Sequence, residues 1–69
     1  MDFKITLEAA RVNAQLTQKE AAKRLGVSNK TLCNWENGTA FPRADKIQLI
    51  CEVYNVPYDF LNFLHTYSL

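Results

Sequence analysis

The chain has 69 residues and a formal net charge of +1, enough for one small domain that buries only ~60% of its unfolded surface and too little for an enclosed catalytic pocket. No apolar run is long enough to cross a membrane and no signal peptide opens the sequence, so a cytoplasmic protein is expected. Cys33 and Cys51 form no C-x-x-C pair and His65 is the only histidine, which leaves no zinc spacing, no disulfide framework and no expected metal or cofactor.

In chain order, Met1 to Ile5 reads as a short extended lead-in, with Phe3 and Ile5 available to pack under the domain. Thr6 is a suitable N-cap for a first helix from Leu7 to Ala14, whose inner face carries Leu7, Ala10 and Ala14. Glu8 lies near the positive end of its dipole, and Gln15 ends it. Thr17 and Glu20 form a T-x-x-E capping box at the start of the second helix. Ala21, Ala22 and Leu25 then recur at helical spacing opposite Lys19, Glu20, Lys23 and Arg24. Gly26 stops this helix, because glycine has no Cβ to clash in the left-handed conformation.

Ser28 caps a third helix from Asn29 to about Asn37, with Leu32 and Trp35 inward and Gly38 as terminator. Two short helices joined by so tight a turn cross steeply, and Ala22 is small enough to sit at the crossing. The loop from Gly38 to Pro42 follows, with Phe41 expected to anchor it in the core. A fourth helix runs from about Ala44 to Tyr54 on Ile47, Ile50, Cys51 and Tyr54, and Asn55 closes it. Val56 and Pro57 begin a fifth helix bearing Phe60, Leu61, Phe63 and Leu64, followed by Tyr67 and Leu69. Charge is uneven: residues 1–43 hold seven Lys/Arg against four Asp/Glu, while residues 44–69 hold one against three. The basic part contains the two tightly joined helices.

The segment Gln18–Asn37, with Ala22 at the crossing, Gly26 in the turn and apolar Ala21, Leu25, Val27, Leu32 and Trp35, resembles the helix-turn-helix of the phage repressor and Cro-like (xenobiotic response element) family. Flanking features match too: Leu16-Thr17-Gln18 leads in, Trp35-Glu36-Asn37-Gly38 closes the motif, and Pro42 precedes the next helix. The likeness covers the chain from about Ile5 to Leu64. Two positions depart from the family pattern, Gln15 where glycine is usual and Arg43 where serine usually caps the fourth helix.

The resemblance implies an all-α, compact five-helix DNA-binding domain spanning residues 1–69, with the third helix in the major groove. It further implies base contacts from Asn29, Lys30, Thr31 and Asn34, residue types that read adenine or guanine edges. Gln18, Lys19, Ser28, Asn37, Thr39 and Arg43 are the expected phosphate contacts. Ala22, Gly26 and Trp35 support the motif. So does an ion pair between Arg11 and Glu36, expected to be partly exposed and worth at most ~1 kcal/mol.

The function implied is sequence-specific binding of duplex DNA by a repressor or Cro-like regulator of bacterial or phage origin. A homodimer through the last helix would read two half-sites ~34 Å apart. The alternatives are a protein-interaction adaptor or the antitoxin component of a toxin–antitoxin pair on the same fold. The polar residues Asn29, Lys30, Thr31 and Asn34 favour DNA over an adaptor's apolar face. Neither paired carboxylates nor a phosphate-binding glycine loop suggests an enzyme, and nothing points to a small-molecule ligand or membrane.

Overall fold

The computed structural model describes residues 4–62. Its elements are strand β1 (Ile5–Thr6), helices α1 (Leu7–Asn13), α2 (Gln18–Leu25), α3 (Asn29–Asn37) and α4 (Ala44–Tyr54), a 3₁₀ turn (Tyr58–Phe60) and strand β2 (Leu61–Asn62).

Each helix begins and ends where local chemistry requires. Thr6 accepts the Ala9 amide at 3.0 Å, and the Thr17–Glu20 capping box is complete, with bonds of 3.1 and 2.9 Å. Ser28 accepts the Thr31 amide at 3.0 Å. Arg43, by contrast, makes no side-chain cap bond to α4. Among the described residues four are left-handed and divide the chain: Gln15 (φ 63°), Gly26 (φ 72°), Gly38 (φ 83°) and Asn55 (φ 56°). Glycine meets that requirement twice at no steric cost, and asparagine tolerates it; glutamine at position 15 is strained.

The core joins Leu7 and Ala10 of α1, Ala21, Ala22 and Leu25 of α2, Leu32 and Trp35 of α3, Ile50 and Tyr54 of α4, and Leu61 of β2. Leu7, Leu25, Leu32 and Ile50 are its largest fully buried side chains. Burial of this order, at roughly 25 cal/mol per Å² of apolar surface, is what holds helices this short in place, since helices of 7 to 11 residues are marginal alone.

Two expectations are corrected. No fifth α-helix begins at Val56 and Pro57. Pro57 is extended (φ −72°, ψ 150°), a single 3₁₀ turn follows, and the chain then pairs in parallel with the lead-in, Ile5 opposite Leu61 and Thr6 opposite Asn62. The pairing satisfies backbone groups of the lead-in that a helix would leave open, and it places Leu61 in the core. Among the described residues the architecture is therefore four α-helices with a two-stranded sheet, still an all-α class in its layering. Phe63, Leu64, His65, Tyr67 and Leu69 lie outside the described residues, as does Phe3, and so does most of the dimer surface expected there.

Phe41 does not anchor its loop in the core. It is 50% exposed, and the loop is held by buried Pro42 and by the Asn34 carbonyl. That carbonyl accepts from the Thr39 and Ala40 amides at 3.0 and 3.3 Å and from the Thr39 hydroxyl at 3.2 Å. These hydrogen bonds to one carbonyl fix the loop without an apolar plug.

Candidate nucleic-acid interface

At 100° per residue, α3 divides into an inner face of Leu32, Trp35 and Glu36, all buried, and an outer face of Asn29, Lys30, Cys33, Asn34 and Asn37. Asn29, Lys30 and Asn37 are exposed, while Thr31, Cys33 and Asn34 are half-buried. Trp35 is a core residue, as its spacing from Leu32 predicts.

Glu36 is the exception to an apolar underside, and it organises the rest. Its Oε2 accepts from Arg11 Nε at 2.7 Å, and its Oε1 accepts from Arg11 Nη2 at 3.5 Å. Arg11 Nη1 also donates to the Leu16 carbonyl at 2.9 Å. The two side chains are only 11% and 5% exposed, so the expected partly exposed pair is in fact buried. The Glu36 hydrogen bond is the main reason that the Arg11 guanidinium is held above its ordinary pKa, with burial opposing. The buried Tyr54 hydroxyl has no hydrogen-bond partner among the described residues. Burial first, and then the Glu36 charge, push its pKa up to about 12.

From this pair a chain of hydrogen bonds reaches the outer face of α3. Gln18 Nε2 donates to Glu36 Oε1 at 3.1 Å, and Gln18 Oε1 accepts from Asn29 Nδ2 at 3.3 Å. Gln18 and Asn29, expected on phosphate and base separately, are thus one unit. Ser28, besides capping, donates its hydroxyl to Thr31 Oγ1 at 3.0 Å, so both belong to the first turn of α3. Asn37 Nδ2 donates weakly to Cys33 Sγ at 3.5 Å. Lys19, Thr39 and Arg43 are exposed.

Sequence reasoning passed over Lys46. Its Nζ donates to the Leu25 carbonyl at 2.8 Å, at the end of α2, and no local signal could have shown this. Among the described residues no group of His, Cys, Asp and Glu is arranged to hold a metal, and no helix is long and apolar enough to cross a membrane.

A family model described as "Helix-turn-helix" matches residues 7–61. The chain is 40% identical over 55 residues to the HTH-type transcriptional regulator ImmR of Bacillus subtilis, covering 80% of this chain and 43% of that protein. It is 31% identical over 55 residues to the cryptic phage CTXphi transcriptional repressor RstR of Vibrio cholerae, covering 80% and 50%. Antitoxin PezA of Streptococcus pneumoniae is 36% identical over 52 residues, covering 75% and 33%. The chain thus spans half or less of the length of these relatives. No solved structure matches at the same stringency.

Proposed function

The chain belongs to the helix-turn-helix family of phage repressor and Cro-like regulators, and on that premise we propose that it binds duplex DNA sequence-specifically and represses transcription by occupying its operator. The carrying observation is the direction of the hydrogen bonds from Glu36 to Asn29. A carboxylate accepts and does not donate, so Gln18 turns its amide N–H₂ toward Glu36 and its oxygen toward Asn29. Asn29 then gives one N–H to Gln18 and keeps Oδ1 and its other N–H for the outer face. An acceptor beside a donor is the complement of adenine, which shows N6–H₂ and N7 in the major groove; guanine shows two acceptors. In this reading Asn29 takes adenine, with Lys30, Thr31 and Asn34 as further base contacts.

Gln18 has a second N–H for a phosphate at the positive end of α2, and Lys19, Ser28, Asn37, Thr39 and Arg43 complete the phosphate contacts. Operators of this kind are read by two copies, so a homodimer on a palindrome with half-sites ~34 Å apart is part of the proposal. The site of action is the cytoplasm, where the operator is. Similarity to PezA supports a second reading, in which the same domain belongs to the antitoxin of a toxin–antitoxin pair.

Selection of bound duplexes from a random pool at ~150 mM salt tests the function, because non-specific phosphate binding is weak there. The expected result is an enriched palindrome with an adenine that Asn29→Ala ceases to prefer, at a loss of ~1–3 kcal/mol on that site alone. Recovery of no common sequence by the folded protein would refute DNA reading in favour of an adaptor.

A further inference from the structure

We propose that Lys46 is a positioning residue for DNA reading, tying the first turn of α4 to the turn between α2 and α3. The inference rests on the DNA-binding reading above. The Leu25 carbonyl, which accepts Lys46 Nζ at 2.8 Å, is one of the orphan acceptors at the negative end of α2. The next residue is Gly26, whose left-handed backbone (φ 72°) redirects the chain into α3. A Cβ at Gly26 would lie 3.5 Å from Lys46 Nζ, so the ammonium sits directly against the turn. Among the described residues, no carboxylate lies within ion-pair range of it. Its charge is instead directed at the helix end.

The other end of this tie lies close in sequence to a proposed phosphate contact. Lys46 stands three residues after Arg43, and Arg43 makes no side-chain cap bond to hold the start of α4. Gly26 and Arg43 therefore flank α3 on two elements that share this cross-element hydrogen bond. Without it, α3 keeps its apolar underside but loses a constraint on its approach angle. Base contacts are more sensitive to that angle than contacts to a continuous phosphate backbone.

The test compares wild type, Lys46→Met, which keeps the stem and removes the donors, and Lys46→Arg, which restores a donor. Affinities for the selected duplex and for a random duplex are measured across a salt series, below the melting temperature of every variant. Lys46→Met is expected to lose about five- to tenfold on the selected duplex, with under about twofold change on random DNA and an unchanged salt slope. Lys46→Arg is expected to recover most of the loss. Equal losses on both duplexes with a flatter salt slope would make Lys46 a direct phosphate contact and overturn the proposal; no loss on either would also overturn it.

Two measurements do not depend on a duplex or on the Met variant folding. In wild type, the Lys46 side-chain ammonium NMR signal should be protected from exchange without DNA, and a freely exchanging ammonium would overturn the tie. Amide shifts of Asn29–Asn34 should move between wild type and Lys46→Gln, whose shorter side chain cannot reach the Leu25 carbonyl that Lys46 Nζ meets at 2.8 Å; unmoved shifts would overturn the coupling. If no duplex is selected while these hold, the DNA reading fails and the tie stands.

Discussion

Replacing Glu36 by glutamine removes one charge from the Arg11–Glu36 pair and changes little else in shape. Arg11 would then be a nearly buried guanidinium that keeps a neutral amide acceptor at position 36 and the Leu16 carbonyl at 2.9 Å, with Glu8 at 3.9 Å, itself 65% exposed, as the carboxylate left beside it. Breaking a buried ion pair on one side costs ~3–5 kcal/mol, and these remaining partners place the loss near the low end, about 3 kcal/mol. A domain of this size has a total stability of only ~3–10 kcal/mol. Urea titration followed by circular dichroism should therefore show Glu36→Gln partly unfolded or with a sharply lower midpoint. The double variant Arg11→Met/Glu36→Leu removes both charges and fills the space with apolar groups, and should return to within ~1 kcal/mol of wild type. A loss below ~1 kcal/mol for Glu36→Gln at an unchanged m-value, which is how an exposed pair behaves, would refute this account. The double variant also separates stability from reading: it folds, but Gln18 has lost its acceptor, so its preference for adenine opposite Asn29 should weaken.

Gln15→Gly places the residue without a Cβ at φ 63° and should raise stability by up to ~1 kcal/mol in the same titration; a decrease would mean that the glutamine side chain makes a compensating contact. Tyr54→Phe removes a buried hydroxyl with no partner among the described residues and should leave stability unchanged or raise it by up to ~1 kcal/mol, so that a clear loss would reveal a hidden hydrogen bond. Glu20 is held below its ordinary pKa by the Thr17 amide and hydroxyl. A lowered folded pKa stabilises above the unfolded value, and that contribution drains as pH falls through the folded one; the stability gap between wild type and Glu20→Gln should therefore narrow as pH falls from the ordinary carboxylate range through the lowered folded value. A constant gap would show that the charge of Glu20 is irrelevant. Arg43→Ala should weaken binding to all duplexes alike and flatten the salt dependence, whereas a loss confined to one sequence would make Arg43 a base reader.

What was legible in the sequence was local. Thr6, Thr17 and Ser28 bond to amides three residues ahead, and Gly26, Gly38 and Asn55 act through their own backbone angles; none of these needs knowledge of the tertiary fold. The resemblance supplied the Arg11–Glu36 pair but not its depth, because depth depends on how Leu16 and α2 close over it. The β1–β2 pairing joins the two ends of the described chain through two residues each, too short to leave a period-2 pattern. At Val56-Pro57, an N-terminal helix signal was present, but the open edge of the lead-in competed for the backbone that follows and won. Phe41 failed for a related reason: its size suggested burial, while backbone bonds to Asn34 had already fixed the loop.

The site shows the same division more sharply. The family resemblance sorted Asn29 to the bases and Gln18 to the phosphates, and treated each as acting alone. Side-chain bonds between α1, α2 and α3 make them consecutive members of one chain of donors and acceptors that begins at a buried charge. A lone exposed asparagine can flip its amide and read either pattern, so residue type alone sets no preference at that position. Once Glu36 fixes Gln18 and Gln18 fixes Asn29, the flip must break a hydrogen bond that Asn29 makes to Gln18, at a net cost of ~0.5–1.5 kcal/mol. In the proposed function that difference is the physical origin of a base preference. It explains why a small domain would bury an ion pair that an apolar pair of similar volume could replace with little change in stability.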